Sequence, residues 1–273
     1  MRGRMAVLIA SAAIYMLCLN LPIIVVEQIT GLWDILERAM NDYISFAASN
    51  PTNAAIYEWF QSYPYQGTFS IATYIFLLLV PGPLTLGLSV IFLRALRGQP
   101  VFADMVFSGF GNFFRAMMTN FIRIVFIALW SILLLVPGVI AYYRYSFVFF
   151  LLADNPTMSP FTAFALSKYY MKQNKGSRFL LDLSLIGWLF LSAIALGLLS
   201  DAVTAMLVAG GYATTLFSSE LVSGILGAIV MAPLCVYRGI AGAEYYHRVI
   251  CRDPRSFEDP LMLPETSHPV SKK

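Results

Sequence analysis

The sequence predicts an all-α, polytopic integral membrane protein with about six membrane-inserted helices and further amphipathic helices at the membrane interface. Hydrophobic residues make up 59% of the 273 residues and charged residues only 12%, against about 45–50% and about 25% in soluble domains. The apolar residues are concentrated in six runs, most of which approach the roughly 20 residues that cross a bilayer. Lys and Arg are concentrated in alternate connections between these runs, as in multi-spanning membrane proteins.

The apolar runs define one integral membrane domain over residues 1–247, followed by a polar tail, predicted to be cytoplasmic, over residues 248–273. The predicted spans lie near residues 5–26, 68–93, 118–136, 139–153, 179–199 and 221–243. The first apolar run exceeds the roughly 7–15 residues of a secretory signal core. We therefore predict that it is retained as a span.

The distribution of Lys and Arg predicts the orientation of the spans. If all six runs cross, one side of the membrane receives most basic residues: Arg2, Arg4, Arg94, Arg97, Arg115, Lys168, Lys172, Lys175, Arg178, Arg248, Arg252, Arg255, Lys272 and Lys273. The opposite side receives Arg38 and a set of acidic residues. Because cytoplasmic loops retain Lys and Arg, both termini are predicted to be cytoplasmic, in a multi-pass protein of the plasma membrane.

The stretch LLLVPGVIAYYRYSFVFFLLADNP, at Leu133–Pro156, predicts a reversal of the chain. A single helix over residues 118–153 would be about 54 Å long, whereas the hydrocarbon core is about 30 Å thick. Pro and Gly both favour such a reversal, so we predict a tight hairpin at Pro137–Gly138 with a short second arm, Val139–Ala153. The alternative is a broken helix whose second half is buried against protein.

Other local signals predict helix boundaries and interfacial helices. Pro81–Pro83 predicts a kink or local unwinding within the second span. Apolar residues recur at helical spacing in residues 29–43 and again in residues 102–114, which predicts amphipathic helices in the interface. Asp154–Pro156 predicts a turn that ends a helix. Ser159 followed by Pro predicts the start of the next helix.

Two segments carry a resemblance to a known family. The run VPGVIAYYRYSFVFFLLADNP at Val136–Pro156 and FLLDLSLIGW at Phe179–Trp188 resemble bacterial membrane proteins grouped as domain of unknown function 975. The resemblance covers about Phe107–Trp188. The chain differs in carrying Gln173 where the family favours glycine and Arg144 where a small polar residue is usual. The resemblance implies a multi-spanning bacterial membrane protein, and it transfers no catalytic residues.

Enzymatic and cofactor signals are weak in this sequence. It contains no HExxH, GxSxG or Walker motif. Glu244 and His247 have the spacing of a metal-binding pair, but such centres need a second copy on another helix. We therefore predict a non-enzymatic protein with no cofactor and no metal. No basic, aromatic-lined groove indicates nucleic acid, so the expected partners are membrane lipids and other membrane proteins.

Small residues in the spans are assigned to close helix contacts rather than to phosphate binding. These glycines are Gly109, Gly111, Gly187, Gly197, Gly224, Gly227, Gly239 and Gly242.

Ionisable residues inside the predicted spans are the best candidates for a functional site, because charges are costly in lipid. They are Arg123, Arg144, Asp182 and Arg238. Arg123 and Asp182 lie at similar predicted depths, which permits an ion pair. Arg144 lies among tyrosines that could ease its burial through cation–π contacts. These residues either fix helix packing, or they form a site for an anionic headgroup or substrate facing a polar cavity.

Two functions are compatible with these features. One is a membrane scaffold or accessory subunit that contacts lipids or proteins. The alternative is a transporter or lipid-handling permease with an anion site at the intramembrane arginines. The position of Arg144 and Arg238 separates them: convergence on a polar cavity favours transport, whereas burial against partner side chains favours a scaffold.

Overall fold

The computed structural model describes residues 2–30, 41–48, 52, 55, 58, 75–210 and 219–251. Every regular element in these residues is a helix. Six described stretches are long and apolar enough to cross a membrane: Arg4–Ile24, Ile75–Leu96, Ala103–Leu133, Val136–Asp154, Lys175–Leu207 and Val222–Ile250. The predicted all-α, multi-spanning fold class is therefore confirmed. Most of the predicted tail lies outside the described residues, as do positions 31–40 of the first amphipathic stretch.

The helices are named here in chain order. They are α1 (Arg2–Thr30), α2 (Pro81–Leu96), a 3₁₀ helix (Ala103–Asn112), α3 (Phe113–Leu133), α4 (Leu135–Arg144), α5 (Val148–Asp154), α6 (Pro160–Tyr170), α7 (Lys175–Ser184), α8 (Ile186–Ala209) and α9 (Ser219–Cys251). Residues 41–48 and 75–79 are also helical.

Helix α2 lies at the centre of the described fold and is buried along most of its length. The 3₁₀ helix packs so closely against it that a Cβ added at Gly87 would collide with the carbonyl of Val106, and one added at Gly109 with the carbonyl of Pro83. Backbones can approach to this degree only where glycine removes the side chain. The predicted contact role is thus confirmed for Gly109, whereas a Cβ added at Gly111 would have no atom of the described residues within 4 Å.

The end of α2 follows from its last residues. The N–H of Gln99 donates to the carbonyl of Arg94 (2.9 Å) and the N–H of Gly98 to that of Ala95 (3.2 Å). Gly98 has a φ of +73°, which completes a Schellman motif that satisfies free carbonyls at the helix end. Arg4 Nη2 donates to the Gly98 carbonyl over 2.8 Å. This contact joins the start of α1 to the end of α2.

The predicted hairpin is present, but the chain reverses three residues earlier than predicted. Leu134 is extended, with φ −163° and ψ 149°, between α3 and α4. Pro137 lies in the first turn of α4, where a missing N–H removes no helical hydrogen bond. Gly138 packs against Ser131 across the hairpin. The second arm is interrupted after Arg144, and its second half, α5, is buried, so features of both predicted alternatives occur together.

The Asp154–Pro156 turn ends α5 as predicted. Asn155 Oδ1 accepts from the N–H of Thr157 over 3.1 Å, while Asp154 pairs with Arg97 (Nη1–Oδ1 2.7 Å). The Arg115 guanidinium donates to several carbonyls of this turn, including those of Asn155 and Met158.

Two other predicted features of the helices, the start of α6 and the interruption of the second span, are also confirmed. Ser159 caps α6, because its Oγ accepts from the N–H of Thr162 over 3.2 Å. Next to Pro81–Pro83, the helix of residues 75–79 is interrupted at Val80 before α2 begins, as expected for the predicted kink or local unwinding of the second span.

Candidate functional site

Three arginines from different helices line one cavity of about 420 Å³, here called the arginine cavity. Arg123 comes from α3, Arg178 from α7 and Arg238 from α9. Tyr15 of α1 and Tyr142 of α4 contribute to the same wall. Arg123 and Arg238, two of the predicted candidates, are therefore brought together from distant parts of the sequence.

Asp182 holds two of these arginines in place. Arg238 reaches it with two nitrogens, Nε to Oδ1 at 3.1 Å and Nη2 to Oδ2 at 3.3 Å. Arg178 Nη2 lies 3.8 Å from Oδ1, one turn away on α7. The Asp182 side chain is 13% exposed and that of Arg178 10%, whereas Arg238 is 47% exposed. Arg238 also donates to the Tyr142 hydroxyl over 2.5 Å.

Charge is not balanced around the arginine cavity. Three guanidinium groups face one carboxylate, which leaves a formal charge of +2 among these groups. Several buried polar atoms of the lining residues have no hydrogen-bond partner in the described part of the chain: Arg123 Nε, Arg178 Nε, Arg178 Nη1 and Ser146 Oγ. Buried donors in proteins are nearly always satisfied. An anionic group in the cavity would supply both the missing charge and the missing acceptors.

The predicted pairing of Arg123 with Asp182 is not formed; among the described residues, Asp182 pairs with Arg178 and Arg238 instead. Arg123 lies over the ring of Phe149, with Cζ 5.0 Å from the centroid. This contact eases burial of the cation through the ring quadrupole without neutralising it. The charge of Arg123 therefore stays available to the cavity.

Two glycines of α9 make room for the site. A Cβ at Gly242 would lie 2.9 Å from Arg178 Nη1, and one at Gly239 would collide with the ring of Phe92. The prediction that these glycines allow close contact is confirmed, and one of the contacts is with an arginine of the cavity. In contrast, Gly187 and Gly197 have nothing within 4 Å, so the predicted contact role is wrong for them within the described structure.

Arg144 lies outside the arginine cavity. Its carbonyl accepts from Ser167 Oγ over 2.8 Å, but its guanidinium has no partner in the described residues, and the predicted cation–π contacts with its neighbouring tyrosines are not formed. The position of Arg144 around the helix axis explains why it lies outside the cavity. Tyr142 lines the cavity, and a residue two positions later points about 200° away around the helix.

Sequence reasoning did not select Arg178 or Tyr142 as site residues. Arg178 was assigned to a basic connection, where it counted only toward orientation. Its spacing to Asp182, i and i+4, was a usable signal, since residues four apart share a helix face. No local pattern singles out Tyr142, because its partner Arg238 is 96 residues away.

A second cavity of about 580 Å³, here called the apolar groove, lies between α8 and α9. Its lining residues are mainly apolar: Ser184, Leu185, Trp188, Ser192, Val230, Pro233, Leu234 and Tyr237. Leu234 lines both the apolar groove and the arginine cavity.

These features define a multi-spanning helical membrane protein with an arginine-lined cavity between its helices. Residues 43–253 match the family model described as Protein of unknown function (DUF975). The chain belongs to that family, which confirms the resemblance found in its sequence motifs. Comparisons with curated proteins and with solved structures found no match.

Proposed function

We propose that this protein is a non-enzymatic membrane scaffold or accessory subunit that binds the anionic headgroup of a membrane lipid in the arginine cavity. The observation that carries the proposal is the convergence of Arg123, Arg178 and Arg238 on one cavity, where Asp182 is the one carboxylate of the described residues that pairs with them. Guanidinium groups match phosphate oxygens through paired N–H donors. A phosphate group is therefore the anion that best fits this lining.

The energetics of burial support an anion rather than a purely structural cluster. Taking cations out of water costs several kcal/mol each, and the cost is recovered only through paired charge and hydrogen bonds. Asp182 supplies that pairing for Arg238 and part of it for Arg178. The unsatisfied Arg178 Nε and Nη1 and Arg123 Nε still need acceptors.

A lipid-handling permease is the second candidate, and helix breaks next to the cavity favour it. The α4–α5 break contains Ser146, and the α7–α8 break follows Asp182 and precedes Leu189. Interrupted helices beside a polar site are a feature of transporters. A permease would move the bound lipid, whereas a scaffold would hold it.

The lipids that copurify with the protein in mild detergent test the proposal. Mass spectrometry should find anionic phospholipid enriched on the wild type over its share of the membrane. Arg123→Leu removes a cavity charge without breaking an ion pair, and it should lower retention by about 10-fold or more, since a charged hydrogen bond contributes about 1.5–3 kcal/mol. Arg144→Leu is the matched control, because this arginine lies outside the cavity, and it should retain lipid like the wild type.

Equal retention in the wild type, Arg123→Leu and Arg144→Leu would contradict a headgroup site. Exchange of labelled anionic lipid between the leaflets of reconstituted vesicles separates the two candidates. Exchange that depends on Arg123 would indicate a permease, and retention without exchange would indicate a scaffold.

A further inference from the structure

We propose that the bound ligand is an anionic phospholipid whose phosphate lies in the arginine cavity and whose acyl chain lies in the apolar groove between α8 and α9. The inference rests on the proposed function and identifies the ligand as a lipid bound by both of its parts, rather than a soluble anion. Two adjoining compartments, one cationic and one apolar, carry it.

The two compartments adjoin at several points of the chain. Leu234 lines both of them. On α9, Tyr237 lines the groove and the next residue, Arg238, lines the arginine cavity. On the facing side, Asp182 binds Arg238, and Ser184 lines the groove two residues later. The polar and apolar parts of one amphipathic molecule would therefore be contiguous.

The groove lies beside the arginine cavity along α9, since Met231 lines the cavity and its neighbour Val230 lines the groove. Val230 is the groove residue on this helix that lies farthest from Arg238, eight residues away. At 1.5 Å per residue this is about 12 Å of helix, enough length for several methylene groups. Pro233 lies inside this stretch, and its ring cannot donate a helical hydrogen bond and crowds the preceding turn. The groove therefore lies where α9 lacks one helical hydrogen bond.

The groove opens on an exposed apolar surface, of the kind that faces lipid in a membrane protein. Trp188 and Tyr237 are each 62% exposed and line opposite helices of the groove. The neighbouring surface of α8 is formed by large exposed apolar residues, including Leu191 and Ile194. A soluble anion would gain nothing from such a route, whereas an acyl chain would leave bulk lipid and enter the groove without crossing water.

The test compares a soluble headgroup with the same headgroup on short chains, using delipidated protein in amphipol so that no free micelles compete. The probes are glycerol 3-phosphate and the water-soluble dihexanoyl phosphatidic acid. Ser192→Trp fills the groove from α8, and Val230→Phe fills it from α9. Ala193→Trp adds the same indole at the adjacent exposed position and serves as the matched control.

Each buried methylene contributes about fourfold to the dissociation constant (about 0.8 kcal/mol). Wild type and Ala193→Trp should therefore bind dihexanoyl phosphatidic acid at least about tenfold more tightly than glycerol 3-phosphate. Ser192→Trp and Val230→Phe should lose this preference and keep glycerol 3-phosphate binding within about twofold, which also reports that the variants fold. Equal affinity of the wild type for both probes would overturn the groove assignment and leave the anion site standing. If the wild type bound neither probe, both the groove assignment and the anion site would be overturned.

Discussion

The substitution Asp182→Asn tests how much the ion pairs of Asp182 with Arg178 and Arg238 stabilise the protein. The substitution keeps the size of the side chain but removes the carboxylate that pairs with Arg178 and Arg238, so the formal charge of the three arginines and residue 182 rises from +2 to +3. Breaking a buried pair costs roughly 3–5 kcal/mol. Because Arg238 is 47% exposed, water replaces part of the interaction, and we expect a loss of about 2 kcal/mol.

Thermal unfolding in detergent measures this loss. A change of about 2 kcal/mol corresponds to a fall in Tm of roughly 4–8 °C for a chain of this size. Added phosphatidic acid should restore more of the Tm in Asp182→Asn than it adds to the wild type, since the anion takes the place of the missing carboxylate. This extra restoration follows from the cavity being an anion site, and a merely structural ion pair would not produce it.

Asp154→Asn is the control for this experiment. Asp154 also pairs with an arginine, Arg97, and accepts from Tyr246, but neither residue lines the arginine cavity. The variant should lose stability, keep its retained lipid, and gain no extra stabilisation from phosphatidic acid. Equal restoration of Asp154→Asn and Asp182→Asn, or an unchanged Tm in Asp182→Asn, would refute the reasoning.

Two further predictions concern the fold and its orientation. Gly87→Ala places a Cβ against the carbonyl of Val106 and should cost about 1–3 kcal/mol by overpacking. Gly111→Ala, which meets nothing within 4 Å in the described residues, should unfold at the wild-type temperature, and equal Tm values for the two variants would contradict the close contact at Gly87. Ser49→Cys should react with an impermeant thiol reagent from outside and Ser177→Cys only after permeabilisation, and the reverse pattern would contradict the predicted topology.

The spans were predictable because length and hydropathy are local properties of the sequence. The helix ends at Ser159 and Asp154 were predictable for the same reason, since capping and turn residues act on their own backbone. The position of the hairpin turn was off by three residues because Pro is as compatible with the first turn of a helix as with the turn before it. Local chemistry constrains such a boundary only to within a turn.

The site was predictable only in part because it depends on how helices are rotated against one another. Depth along a span follows from counting residues, and it selected Arg123 and Arg238, which line the arginine cavity, and Asp182, which pairs with Arg238. Depth alone also selected Arg144, whose helix directs it away from the cavity. The partner choice of Asp182, Arg238 rather than Arg123, depends on tertiary packing that no local pattern encodes.

Direct titration of the delipidated protein with inorganic phosphate tests the central claim, that the arginine cavity is an anion site. The wild type and Arg144→Leu should bind with the same dissociation constant, and Arg123→Leu should bind about 10-fold or more weakly. Since Arg123 forms no ion pair in the described structure, its loss should leave the fold intact, as circular dichroism would verify. Identical phosphate affinity in all three proteins would contradict the claim.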